Sequence, residues 1–178
     1  EPETPRQNAK LKLSFAILPR PLKLFIFVAA IFALGNFSYM FFVLRAQHLF
    51  EGKWMITAPI LLYVLFNIFQ SALAIPLGLL SDKIGRQKVL IFGFGLFAVV
   101  SFGFAFCNSL LFYIILFALY GVVFAAVDGT ERALVSDLAG SDSRATALGT
   151  YSTITGLAAL PAGIVAGLLW DKSPVYTF

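Results

Sequence analysis

Long uncharged segments dominate the hydrophobic pattern of this chain. Asp, Glu, Lys and Arg are absent from four of them: Leu24–Leu44, Trp54–Ser81, Val89–Val127 and Ala145–Trp170. A helix needs about 20 apolar residues to cross the hydrocarbon of a membrane. The third segment would make a helix of roughly 58 Å at about 1.5 Å per residue, against a core of about 30 Å. It must therefore fold back, and Cys107-Asn108-Ser109 is the polar cluster suited to the turn.

Five membrane-spanning helices are therefore predicted, the fourth running on through Asp128 and Glu131 to about Leu138. The predicted spans cover about residues 24–44, 55–80, 89–107, 110–138 and 145–170. Residues 1–23 are a polar leader, and residues 24–178 are expected to form one membrane domain. The predicted fold class is an all-α multi-pass membrane protein.

Composition and charge agree with this class. The chain is 60% hydrophobic and only 12% charged, whereas charged residues make up about a quarter of soluble proteins. The net charge of +4 is therefore not a signal for nucleic-acid binding. Of the 13 Lys and Arg residues, only Arg45, Lys53 and Lys172 lie on the far side of the predicted spans. This distribution places the N-terminus of the segment in the cytoplasm, in a plasma (inner) membrane.

The sequence offers little material for covalent or metal chemistry. One Cys and one His exclude an internal disulfide and leave no metal-ligand set. His48, in the short outer loop, is interpreted as an interfacial surface residue. No nucleophile-base constellation or phosphate-cradling loop is present, which disfavours a membrane enzyme or an ATP-driven pump. No cofactor is expected.

A charged turn lies between the second and third predicted spans and reads GLLSDKIGRQKVL at residues 78–90. It resembles the signature loop of the major facilitator superfamily of secondary transporters. That pattern runs glycine, any residue, leucine, small, aspartate, basic, any residue, glycine, arginine, basic or polar, basic and two apolar residues. Every fixed position of the pattern is met.

The loop residues have distinct physical roles. Gly78 is expected to let neighbouring helices approach closely, and Gly85 to allow the sharp turn between spans. Asp82 is an anion at the membrane face, suited to a helix N-terminus or a basic partner. The resemblance places its partner in the other half of the transporter, so Asp82 is expected to be exposed or locally capped in this segment.

Arg86 presents a forked set of donors that matches a carboxylate. The fourth span returns to the same membrane face as the loop, so either Arg86 or Lys83 is expected to contact Asp137 near the end of that span. The resemblance implies that this loop latches one conformation of a transport cycle. The alternative is a topology anchor with no moving part.

Two similar sequences end the second and fifth spans: GLLSDK at residues 78–83 and GLLWDK at residues 167–172. A proline precedes each, at Pro76 and Pro161. The two ends are three spans apart and would emerge on opposite faces, as in the inverted three-plus-three repeat found within each half of the resembled family. The second triplet would then lack its last helix. A chance match between leucine-rich helices is the alternative.

The signature can follow either the second or the eighth helix of the family, so it does not choose between the two halves. Residues 127–138, VDGTERALVSDL, and 144–149, RATALG, resemble the tenth and eleventh helices of bacterial members. The polar leader resembles the central linker between halves. We therefore expect helices seven to eleven of a transporter, with the N-terminal half of the same transporter as partner.

Polar residues within the spans are candidates for a solute cavity, because burying them in lipid costs several kcal/mol without a partner or water. The candidates on the first two spans are Asn36, Tyr39, Tyr63, Asn67 and Gln70. The last three share one helical face, and both cavity lining and structural hydrogen bonding account for them. The fifth span carries Thr150, Tyr151, Ser152, Thr153 and Thr155. For these, hydrogen bonding between helices is the simpler explanation.

Two acidic residues and one basic residue lie close together within the fourth span: Asp128, Glu131 and Arg132. Steps of three and four residues place side chains on one side of a helix, so a local Asp128–Arg132 pair is expected. That pair leaves Glu131 without an identified partner. Intramembrane carboxylates mark proton pathways, which makes Glu131 or Asp128 the candidate proton-coupling residue.

The function these observations favour is secondary active transport of a small solute by alternating access, coupled to protons as symport or antiport. The expected partners are the solute, protons and the lipid bilayer. A membrane scaffold or receptor that keeps the fold without transport is the alternative.

Overall fold

A computed structural model describes residues 18–36, 39–52 and 54–178, and every regular element within these ranges is helical. The α-helices are α1 (Arg20–Gly35), α2 (Met40–Gln47), α3 (Trp54–Ile84), α4 (Arg86–Phe106), α5 (Leu110–Ala139) and α6 (Arg144–Lys172). Two short 3-10 turns follow α5 and α6, at Ser141–Ser143 and Pro174–Thr177. Most of the predicted leader, residues 1–23, lies outside the described residues.

In the described part of the chain, five helical segments are long and apolar enough to cross a membrane. They are Arg20–Gln47, which combines α1 and α2, and the single helices α3, α4, α5 and α6. The predicted all-α architecture with five spans is thereby confirmed. The fold-back between the third and fourth spans uses the predicted polar turn, because α4 ends at Phe106 and α5 begins at Leu110.

One end of the bundle gathers the beginning of α1, the end of α5 and the beginning of α6. Leu22 of α1 packs in one buried cluster with Ala139 of α5 and Ala147 of α6. The α3–α4 turn lies at the same end, since Arg86 at the start of α4 pairs with Asp137 near the end of α5. We call this the signature-loop end.

The opposite end gathers the end of α2, the end of α4 and the end of α6. The Arg45 side chain of α2 donates hydrogen bonds to the carbonyls of Phe104 and Ala105 at the end of α4. The ring of Phe178, which follows α6, lies 5.0 Å from that of Phe42 in α2. Helices α3 and α6 therefore end on opposite sides and run antiparallel, as an inverted repeat requires.

Helix α5 is the centre of the bundle and packs against α3 and α4, with further contacts to α6 and α1. The remaining large contact joins α1 to α6. An inverted repeat exchanges the first span with the fourth and the second with the fifth, so it maps the α1–α6 contact onto the α5–α3 contact. Both members of this pair are present, which supports the repeat.

Glycines set how closely α5 approaches its neighbours. A Cβ added at Gly121 of α5 would lie 2.5 Å from the Phe66 carbonyl oxygen and 2.7 Å from the Phe69 Cβ, both in α3. A Cβ at Gly93 of α4 would lie 2.5 Å from the Val127 side chain of α5. Small residues at these positions let the helices approach closely, as is usual between membrane helices.

The close approach expected at Gly78 does not occur between the described helices. A Cβ added there would meet no atom within 4 Å among the described residues. The reason is rotational: Gly78 follows Phe66 by twelve positions, or about 120° around a helix of 3.6 residues per turn. The contact of α3 with α5 runs along the Phe66 face, so Gly78 points elsewhere.

Replacing Gly121 with Ala should separate α3 from α5, because the new methyl group would overlap backbone and Cβ atoms that have no freedom to rotate away. Overpacking of this kind costs about 1–3 kcal/mol. We expect a lower midpoint of thermal unfolding for the detergent-purified Gly121→Ala protein. The matched control is Gly95→Ala in α4, where an added Cβ meets no atom within 4 Å. Equal midpoints for the two variants would contradict the tight α3–α5 contact.

Candidate functional site

A cavity of about 380 Å³ lies between α1, α5 and α6. Its lining includes Asn36 from the end of α1, the charged residues Asp128, Glu131 and Arg132 of α5, and Tyr151 of α6. The structure therefore brings one predicted cavity residue together with all three predicted proton-coupling residues. Its volume is in the range of pockets that hold small ligands.

Glu131 is the buried member of the charged group, with 8% of its surface exposed. Its Oε2 accepts a hydrogen bond from the Tyr151 hydroxyl of the neighbouring helix. Its Oε1 is buried and has no hydrogen-bond partner among the described residues. A buried polar atom without a partner costs free energy. A proton, a water molecule or a donor group of a solute that binds this oxygen would remove that cost.

Tyr151 is the partner that sequence reasoning did not assign to Glu131. It is held in place by burial, and its ring stacks on that of Phe25 of α1 at 6.4 Å. The sequence feature that could have indicated this contact is the position of Tyr151 in the run of polar residues of the fifth span. A phenol extends much further from the backbone than a threonine hydroxyl, which is why it alone of that run reaches α5 in the described contacts.

The threonines of the same run do not bond between helices, so that expectation is wrong for them. Thr150, Thr153 and Thr155 each donate to a carbonyl one turn earlier in α6, at 2.8, 2.8 and 2.9 Å respectively. Short hydroxyl side chains commonly bond back to the carbonyl at i−4 of their own helix. This arrangement satisfies them without a neighbouring helix, and Thr155 also lines the cavity beside Ser152.

Asp128 and Arg132 form the predicted local pair, with the Arg132 Nε 3.7 Å from an Asp128 carboxylate oxygen. Their side chains are 59% and 67% exposed respectively. Exposed pairs of this spacing on a helix contribute only about 0.3–0.5 kcal/mol. The pair is therefore loose, and both groups are able to turn towards another charge in the cavity.

The other predicted cavity residues lie apart from Glu131. The rings of Tyr39 and Tyr63 stack with centroids 5.1 Å apart. The Asn67 amide donates to the Tyr63 carbonyl at 2.8 Å, one turn earlier in α3. Tyr63 and Asn67 line a second, shallow groove on α3, and Gln70 lines neither cavity. Structural hydrogen bonding thus accounts for the Asn67 amide, while its side chain still borders an open groove.

The signature loop turns at Gly85, whose φ of +103° suits glycine. Arg86 binds two carboxylates. Its Nε lies 2.5 Å from Asp137 Oδ2, and its Nη2 lies 3.1 Å from Asp82 Oδ1. The contact expected between Arg86 and Asp137 is present. Asp82 is exposed and bound locally, as expected for this segment, whereas Lys83 is exposed and makes no ion pair within the described ranges.

Residues 24–176 match the sequence model of the Major Facilitator Superfamily. An uncharacterized MFS-type transporter of Methanocaldococcus jannaschii is 49% identical over 100% of this chain, which covers 46% of that relative. An uncharacterized transporter of Buchnera aphidicola subsp. Schizaphis graminum is 35% identical over 45% of this chain and 20% of its own length. No solved structure matches the chain. The chain thus spans less than half of these relatives, and it belongs to the Major Facilitator Superfamily.

Proposed function

We propose that this chain is the C-terminal half of a proton-coupled secondary transporter that moves a small solute by alternating access, without covalent chemistry. The family and the names of its relatives, both described as transporters, support transport. The N-terminal half of the same protein supplies the opposite wall of the solute path. The protein lies in the plasma (inner) membrane, with the signature loop on the cytoplasmic side.

The observation that carries this proposal is the Glu131–Tyr151 bond at the cavity wall. Carboxylates inside membrane helices are rare and mark proton relays when they face a cavity. Glu131 is buried, yet one of its oxygens has no partner in the described part of the chain. That oxygen is where a proton binds, while the other stays bonded to α6.

Protonation changes what Glu131 offers to α6. When Oε1 takes the proton, the carboxyl loses its negative charge, and a hydrogen bond to a charged acceptor is about twice as strong as one to a neutral acceptor. The Tyr151 hydroxyl bridges α5 and α6 through this carboxyl. Loading or releasing the proton therefore alters the contact between the two helices, and this links proton binding to their arrangement.

The second element of the mechanism is the Arg86 pairing at the signature-loop end. The pair joins the start of α4 to the end of α5, and the Arg86 and Asp137 side chains are 25% and 50% exposed. Partly exposed pairs are weak, so this one breaks and reforms at low energetic cost. That property suits a latch for one conformation better than a permanent support.

Glu131→Gln should abolish gradient-driven accumulation and leave passive equilibration of the solute, because glutamine keeps the shape but carries no titrating proton. Asp128→Asn should keep accumulation, since Asp128 is exposed and paired with Arg132. The full-length protein in proteoliposomes is first screened with a panel of radiolabelled solutes. The solute that gives protein-dependent flux then serves for both variants, with and without a pH gradient.

The control for this experiment is Glu51→Gln, which removes an exposed carboxylate in the loop before α3. It should transport like the wild type. If Glu131→Gln and Asp128→Asn both accumulate solute normally, neither residue carries the coupling proton and the group is structural. A wild-type protein that moves none of the solutes would favour a scaffold or receptor.

Removing the Arg86–Asp137 pair should slow transport several-fold and change thermal stability little, because such a pair contributes about 0–1 kcal/mol. The variants are Arg86→Gln and Asp137→Asn, and Lys83→Gln is the matched control, since Lys83 lies in the same loop and makes no ion pair in the described ranges. Flux and the unfolding midpoint are measured on the same preparations. A flux for Arg86→Gln equal to that for Lys83→Gln would show that the loop is only a topology anchor.

A further inference from the structure

The charge balance of the cavity between α1, α5 and α6 indicates which solutes it accepts. Asp128 and Glu131 contribute two carboxylates against the single guanidinium of Arg132. The described lining from α1 and α6 adds no charged side chain; the polar groups nearest Glu131 there are Asn36 and Tyr151. With Glu131 ionised, the wall that this chain contributes therefore carries an excess of negative charge.

Arg132 forms no ion pair with Glu131 in the described part of the chain. Its ion pair is with Asp128, at 3.7 Å, and both side chains are largely exposed. The only hydrogen bond to Glu131 in the described part of the chain comes from the neutral Tyr151 hydroxyl. Oε1 therefore remains a buried acceptor without a donor, and a positively charged N–H donor satisfies both its charge and its missing hydrogen bond.

The apolar wall of the cavity suits the rest of such a solute. Phe32 of α1 and Phe124 of α5 line it, and each ring is fixed by a neighbouring ring: Phe32 by Phe94 at 4.1 Å, and Phe124 by Tyr120 at 5.0 Å. Aromatic faces attract cations as well as apolar groups. Ala33 and Gly156 keep the space between the helices open.

We propose that the transported solute is a small organic cation with an N–H donor, which binds Glu131 Oε1 in competition with the proton. This inference rests on the proposed function and narrows it to exchange. One oxygen takes either the proton or the ammonium N–H, so loading one releases the other. No bond other than the carboxyl O–H is made or broken.

Matched probes test the proposal by binding alone. Benzylammonium, benzyl alcohol and benzoate share one body and differ in charge, and n-butylammonium, n-butanol and butanoate repeat the comparison on an aliphatic body. Equilibrium binding of each radiolabelled probe to the full-length protein is measured in detergent. We expect the better-fitting ammonium ion to bind at least about tenfold more tightly than its alcohol. Its affinity should fall as the pH is lowered, because protons then compete for the same carboxylate oxygen.

Glu131→Gln should remove both the preference for the ammonium ion and its pH dependence, while Glu51→Gln should keep both. The comparison among wild-type ligands does not depend on any variant folding. Equal binding of the ammonium, alcohol and carboxylate probes in both series would overturn the proposal, as would an ammonium preference that survives in Glu131→Gln. If wild-type protein shows the preference but no flux in proteoliposomes, the cation site stands and the transport proposal fails. If flux is found without the preference, transport stands and the cation site fails.

Discussion

Close packing around α5 is the constraint on which the rest of this bundle depends. Lipid tails are as apolar as the helix surfaces, so burying a helix surface against another helix gains little hydrophobic free energy. Membrane helices associate instead through van der Waals packing and interhelical hydrogen bonds. Half of the most apolar part of α5 is buried, against 11% for α3 and α6. Gly121 lets α5 meet the backbone of α3, and Gly93 of α4 leaves room for the Val127 side chain of α5. The other helices are placed by their contacts with α5, and their remaining surfaces are left to lipid or to other parts of the transporter.

This packing divides α5 into two sections with different tasks. The section from Tyr113 to Val127 is sealed by aromatic rings, including Tyr120, whose ring lies 4.5 Å from that of Phe42. The section from Asp128 to Asp137 carries the charged residues of the cavity, whose apolar wall includes Phe124 of the first section, and it reaches the signature loop. Glu131 and Asp137 are six residues apart, or about 9 Å along a helix. A tilt or rotation of α5 that follows a change at Glu131 is therefore transmitted to the Arg86 pair through one rigid element.

The sequence predicts those parts of the structure that follow from segment length, charge and chain direction. The five spans and the meeting of Arg86 with Asp137 are of this kind, since alternating spans bring the loop and the end of α5 to one side. The Glu131–Tyr151 bond is different because it depends on how α5 and α6 are rotated relative to each other. The lack of a close contact at Gly78 among the described helices has the same origin: a small residue permits close approach, but the rotation of α3 decides which of its faces meets α5. The Phe66 face meets α5 at Gly121, and Gly78 lies on another face.

The two ends of the bundle close in physically different ways. At the opposite end, Arg45 bonds to the Phe104 and Ala105 carbonyls at 3.3 and 3.4 Å and to the Asn108 side chain at 3.0 Å. The last carbonyls of a helix lack partners within it. The Arg45 guanidinium therefore bonds to backbone groups that do not titrate and always need a donor. At the signature-loop end, Arg86 bonds instead to two partly exposed carboxylates, Asp82 and Asp137. Any competing charge that reaches those carboxylates or Arg86 weakens this closure, whereas the Arg45 closure has no charged acceptor to lose. Within this chain, the signature-loop end is therefore the one that responds to electrostatic change. Its Asp137 lies on the same helix, α5, as the buried carboxyl of Glu131.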